Sequence, residues 1–172
     1  MYRLLCALYF VSTASFALEV IPERPEIIYT NENYVKNVKA SVRRPSRNSK
    51  YVLNIDLVTL QQWNKNVTFH FNIYENLHNE YKISFVNIPD MNFCEVIKFQ
   101  LFQKTLENTM VKCPLPAGHI HVPNLTLAIP DFPYTWPFEK CKARLTVKAP
   151  KGIIMIIGDL YHSLKQTTKK KP

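Results

Sequence analysis

The sequence predicts a mainly β protein, a two-sheet β-sandwich of about seven or eight antiparallel strands with one inserted helix. Three observations point there. Short runs of alternating apolar and polar residues recur along the chain, turn residues separate them, and one stretch alone switches to a helical period. Composition agrees: 172 residues with 47% hydrophobic and 12% aromatic content suit one domain with a proper core and exclude a disordered tail. The three glycines form no G-x-G pair, which excludes a glycine-rich phosphate loop. A net charge of +9 favours anionic surfaces without naming one.

Met1 to Ala17 carries Arg3, then the apolar run Leu4 to Val11, then Ser15-Phe16-Ala17. A charged start, an apolar core of roughly ten residues and small residues before a cleavage point are the parts of a secretory signal peptide. Cleavage is expected after Ala17, and the run is too short to serve as a membrane anchor. Residues 18–34 hold Pro22, Pro25 and several charges without a period. They are expected to form a loosely tied extended segment ahead of a sandwich domain at 35–164.

From Val35 the pattern is that of strands. Tyr51, Leu53, Ile55 and Leu57 alternate with Val52, Asn54, Asp56 and Val58, and Val67, Phe69, Phe71 and Ile73 alternate with Thr68, His70, Asn72 and Tyr74. A turn at Asn76-Leu77-His78-Asn79 leads to Tyr81, Ile83 and Phe85. The expected arrangement is an antiparallel meander with one buried face. From Asn92 to Met110 the apolar residues Phe93, Val96, Ile97, Leu101 and Leu106 recur at helical steps beside Phe99 and Phe102, with Asp90 or Asn92 as candidate cap. Strands resume at His119–Val122 and Leu125–Ile129. After the proline- and aromatic-rich loop Pro130 to Phe138, Cys141, Ala143, Leu145 and Val147 define another strand, and Ile153 to Ile157 the last. Residues 165–172 read as a basic tail containing Lys169, Lys170 and Lys171.

With Cys6 removed in the signal, Cys94, Cys113 and Cys141 remain, so an oxidising compartment would pair two and leave a third. Asn66-Val67-Thr68 and Asn124-Leu125-Thr126 are glycosylation sequons.

The order VRRPSRNSKYVLNIDL, NVTFHFNIYE, YKISFVNIPDMNFCEV and CPLPAGHIHVPNLTL resembles the insect family of small secreted proteins that includes the chemosensory CheB group. That family is similar in turn to ML-type lipid-recognition domains such as the ganglioside activator. The resemblance runs from about Val38 to Leu160 and is sharpest at Asp90-x-x-x-Cys94 and Cys113-Pro114. It implies an immunoglobulin-like sandwich whose sheets splay around an apolar cavity for a lipid or similar ligand. It also implies a Cys94–Cys113 disulfide, a closure worth about 3 kcal/mol on the chain-entropy account. The sequence departs from the family at Pro137-Phe138-Glu139, where a proline-x-glycine turn is expected, and in lacking a cysteine between Ala17 and Cys94.

Phe69, Phe71, Ile73, Phe85, Phe99 and Phe102 are the candidate cavity lining; the plainer alternative is that they fill a core. Phe132, Tyr134, Trp136 and Phe138 are candidates for a cavity mouth or membrane contact, set against a proline-stiffened loop packing back on the sheet. Arg43, Arg44, Arg47 and Lys50 crowd a turn that suits an anionic membrane surface, or a solvated hairpin tip. His119-x-His121 has a spacing compatible with metal, but no third ligand is nominated, so no metal and no cofactor are expected. No G-x-S-x-G, H-E-x-x-H or Cys-His signature nominates a catalytic residue, and an enzyme is not expected. Nucleic acid is not an expected partner. The function these readings favour is a secreted carrier or presenter of a hydrophobic ligand, in a chemosensory or reproductive setting by resemblance. The alternative is an interaction protein that meets a receptor through its loops, with a filled core and Cys141 available for an interchain disulfide.

Overall fold

A computed structural model of the protein describes residues 16–99, 102, 106, 109–132 and 137–168. The expected all-β class is what is observed. Among the described residues nine strands run in chain order: β1 (Phe16–Thr30), β2 (Val35–Arg43), β3 (Val52–Thr59), β4 (Thr68–Leu77), β5 (Glu80–Asn92), β6 (Gly118–Leu125), β7 (Leu127–Phe132), β8 (Lys140–Lys148) and β9 (Ile154–Thr168). They form a six-stranded sheet in the order β5-β4-β8-β9-β1-β7 and a three-stranded sheet in the order β2-β3-β6, all pairs antiparallel. The two sheets pack as a sandwich over one cluster of buried apolar side chains.

The strand count exceeds the expected seven or eight chiefly because the N-terminal segment is not loosely tied. β1 lies between β9 and β7, and Leu18 and Pro22 are fully buried. Its pairing with β9 shifts register between Pro22 and Arg24 and again between Ile27 and Tyr29. Each bulge reverses which residues face the core, so a strand with two of them loses its period-two signature. The prolines, which remove ladder donors, hide it further. The same pairing corrects the other boundary. Lys165 to Thr168 belong to β9 rather than to a tail, with Lys165 opposite Glu19 and Gln166 opposite Leu18. Lys169, Lys170 and Lys171 lie outside the described residues, as does the stretch Met1 to Ser15.

The expected meander is also corrected. β4 and β5 form a hairpin whose turn residues His78 and Asn79 are both left-handed, as a type I′ two-residue turn requires. β3, however, belongs to the other sheet, between β2 and β6. Residues 60–67 carry the chain across, held midway by Trp63, whose N–H donates to the Leu115 carbonyl (2.9 Å) while Leu115 donates back (2.8 Å).

The helical stretch is shorter than its apolar period suggests. α1 spans Phe93–Val96, capped by Asn92, whose side chain accepts from the Glu95 N–H while the Glu95 carboxylate accepts from the Asn92 N–H. Turns follow at 97–98, and Phe102 and Leu106 are again helical. The Cys94–Cys113 disulfide implied by the resemblance is present and ties this stretch to the segment before β6. Cys141 of β8, opposite His162 of β9, is fully buried, which removes the surface access that an interchain disulfide needs.

His162 is buried, and its Nδ1–H donates to the Leu160 carbonyl (3.0 Å). Burial pushes its pKa below the ordinary 6.5, against smaller opposing effects of that bond and of Glu23. The unfolded chain therefore takes up a proton that the folded one resists, and stability falls as pH drops from about 6.5 toward the folded value. Urea unfolding at successive pH values should show a His162→Gln variant losing less stability than wild type over that interval. An identical pH dependence would remove His162 as the cause.

A candidate ligand cavity between the sheets

The facing sheets enclose an apolar cavity of about 240 Å³. One wall is the small sheet, with Leu53, Ile55 and Leu57 of β3 and Ile120 and Val122 of β6 projecting inward by strand alternation. The opposite wall carries Phe69 and Phe71 of β4 with their cross-strand partners Val147 and Leu145 of β8. Phe93, Val96 and Phe102 from the helical stretch close one end, and the disulfide anchors that stretch. Toward solvent the lining includes the exposed residues Glu26, Ile27 and Lys39, on the two successive strands that enter different sheets.

Of the six residues expected in the lining, Phe69, Phe71 and Phe102 stand there. Ile73 is buried but belongs to the next same-face pair, with Ala143, beyond the wall. Phe85 is turned away from the core, at 77% exposure. The cause is a wide register shift: Asn72 faces Asn87 and Tyr74 faces Ile83, so Ser84, Phe85 and Val86 stand opposite Ile73 alone. Alternation counted from Tyr81 fails at that bulge. Phe99 is 39% exposed and outside the lining, although its ring lies 6.3 Å from that of Phe102, because the helix does not run on regularly through it.

Trp63 is the principal residue that sequence reasoning missed. It sits in a short, mostly polar connection with no period to betray an inward side chain. In the fold it is 4% exposed, lines the cavity, and meets Phe69 and Phe93 edge-on at 5.9 and 5.7 Å. Its Nε1–H is buried and has no hydrogen-bond partner among the described residues.

Phe138, expected at a mouth, does not line the cavity; it meets Phe85 edge-on at 6.2 Å. Tyr134 and Trp136 lie outside the described residues, and Phe132 ends β7. The basic turn is partly engaged within the protein. Arg43 donates to the Asn124 side chain (2.8 Å), Arg44 donates to the Ser49 carbonyl (2.9 Å) and Lys50 pairs with Glu19 (2.8 Å). Both sequon asparagines, Asn66 and Asn124, are exposed, as glycan attachment requires.

Away from the cavity, Asp56 of β3 bridges His119 Nε2 (2.8 Å) and His121 Nδ1 (2.9 Å). The hydrogen bond to His119, then that to His121, holds the Asp56 carboxyl below its ordinary range. The three side chains satisfy one another directly, and among the described residues no group of three or more such side chains has a geometry that could hold a metal ion. On β9, Asp159, which is also among the residues bordering the cavity, accepts from Arg144 Nε (2.7 Å) and Nη2 (2.8 Å) and pairs with Lys142 (3.2 Å).

No protein-family model matches the chain, and no curated protein matches it significantly. Among the described residues no helix is long and apolar enough to cross a membrane.

Proposed function

We propose that the protein is secreted and carries or presents a small hydrophobic molecule held between its two sheets. The observation behind this reading is the cavity: about 240 Å³ walled by aliphatic and aromatic side chains from both sheets, where a sandwich of this size would ordinarily be close-packed. An engineered apolar cavity of about 150 Å³ takes up benzene, and drug-sized ligands occupy about 300–1,000 Å³. The space therefore suits one single-chain or small cyclic ligand rather than a lipid with two long tails. Removing apolar surface from water contributes about 25 cal/mol per Å², so such a ligand needs no charged contact to be retained.

Secretion is supported by the signal-like first seventeen residues and the Cys94–Cys113 disulfide. The resemblance to the insect chemosensory family supports a lipid-, hydrocarbon- or pheromone-like ligand. A receptor-binding role through the surface is the alternative, favoured by the exposed Ile83 and Phe85 on the edge strand β5. Expression through an insect secretory pathway, followed by comparison of native and denatured masses and extraction of small molecules, separates the two. A stoichiometric apolar compound in the native protein supports the carrier. A folded protein that arrives empty and takes up no apolar probe points to the surface role.

A further inference from the structure

Two features that the cavity does not use, the basic turn and the His119-x-His121 pair, meet on one surface. Ile55 and Leu57 of β3 and Ile120 and Val122 of β6 face the cavity, so the alternate positions Asp56, Val58, His119 and His121 lie on the other face of the small sheet. In the β2–β3 register Lys36 stands opposite Val58, and Lys39, which also borders the cavity, stands opposite Asp56. Arg43 ends β2, and the turn beyond it adds Arg44 and Arg47. All five cations are exposed. From Lys36 to Arg43 the strand covers about 20 Å.

Their charge is not compensated. Among the described residues none of the five pairs with a carboxylate. Arg43 is held by the Asn124 side chain, and Arg44 by the Ser49 carbonyl and the Tyr51 ring, all neutral groups. Asp56 is the one carboxylate in β2, β3 and β6, and each of its oxygens is taken by an imidazole. Edge lysines also deter strand pairing, but that role asks for no arginines in the turn.

We propose that this face binds an extended sulfated polysaccharide. Sulfates spaced along one chain match separate exposed cations, and arginine meets an oxyanion with paired N–H donors. A bilayer fits less well, because no exposed large apolar side chain on these three strands is available to enter it. The proposal leans on secretion, which puts the protein among such chains, and not on the cavity.

The test uses the secreted protein with N-glycans removed, since Asn124 borders the face, and heparin as the probe across a range of salt. Wild type should bind heparin at physiological salt. Lys36→Gln with Lys39→Gln should lower that affinity about tenfold. The slope of log affinity against log salt should become shallower by about two, one for each lost contact. Lys140→Gln with Lys148→Gln removes the same charge from β8 of the other sheet and should change little. Asp56→Asn, at a side chain 38% exposed, should strengthen binding by removing the opposing carboxylate. Circular dichroism checks that each variant folds. Equal losses from the two lysine pairs, or polyglutamate bound as tightly as heparin, would reduce the face to general charge attraction and overturn the proposal. Heparin left unbound while vesicles of equimolar phosphatidylcholine and phosphatidylserine are bound would overturn it in favour of a membrane. Each of these results leaves the carrier reading standing, because uptake of an apolar probe tests that separately.

Discussion

Asp159→Ala is expected to cost about 3 kcal/mol of folding stability, toward the lower end for loss of one member of a buried ion pair. The Asp159 side chain is 2% exposed, so its charge is tolerated only because Arg144 grips both oxygens and Lys142 approaches at 3.2 Å. Burial works to raise the carboxyl pKa, but these two cations outweigh it and hold the group below its ordinary 3.8. Truncation strands both cations. Lys142, 13% exposed, lies 4.4 Å from the Tyr74 ring centroid and has little water to turn to. Arg144 is one-third exposed and rehydrates in part, which keeps the estimate from the upper end. For a chain of this size the loss corresponds to a Tm lower by about 10 °C. The sign with pH follows from the depressed carboxyl. Its stabilisation is present above pH 3.8 and disappears as pH falls through the folded pKa, so the variant should show a blunted acid transition there. A loss under about 1 kcal/mol in urea titration would class the cluster with ordinary surface pairs.

Phe71→Asp is expected to abolish uptake of apolar probes. Phe71 lines the cavity from β4, paired across the sheet with Leu145, which lines it too. A carboxylate at that point either stays ionised and draws water into the hydrocarbon wall, or takes up a proton at a cost of several kcal/mol relative to water. Either way the space no longer favours a hydrocarbon chain. Phe71 is half-buried, so the protein has a route to fold with the substitution, and circular dichroism checks that it does. Phe71→Leu keeps the wall apolar and should retain uptake within a few-fold. A folded Phe71→Asp protein with unchanged probe binding would show that β4 does not form the ligand wall.

The two strand residues that alternation nominated correctly lie where pairing with β8 is regular, although the β5 pairing shifts register between them. Phe69 and Phe71 face Val147 and Leu145 without interruption, and the strand period carries their direction through to the fold. Phe85 lies opposite a three-residue bulge, and β1 contains two register shifts. A bulge depends on what the neighbouring strand offers, so nothing within the strand itself announces it. The cap is local and its place is legible to within Asp90 or Asn92; the choice of Asn92, its reciprocal bond with Glu95 and the stopping point of α1 are not.

The sequence by itself determined the β class, the strand faces at 52–58, 67–73 and 141–147, a turn around 76–79 and a cap at Asp90 or Asn92, of which the fold uses Asn92. Each depends on neighbours a few residues apart, through side-chain period, turn chemistry or capping. Only the tertiary structure decided that residues 16–30 are a central strand, that β3 leaves β4 for the other sheet, and that Trp63 turns inward beside Phe69 and Phe93. Those outcomes are set by pairings between residues as distant as Leu18 and Gln166, or Trp63 and Leu115. The physical reason is that a strand's partner, and the space left between two sheets, are properties of the packed whole, whereas the pattern of one strand encodes only which of its own faces avoids water.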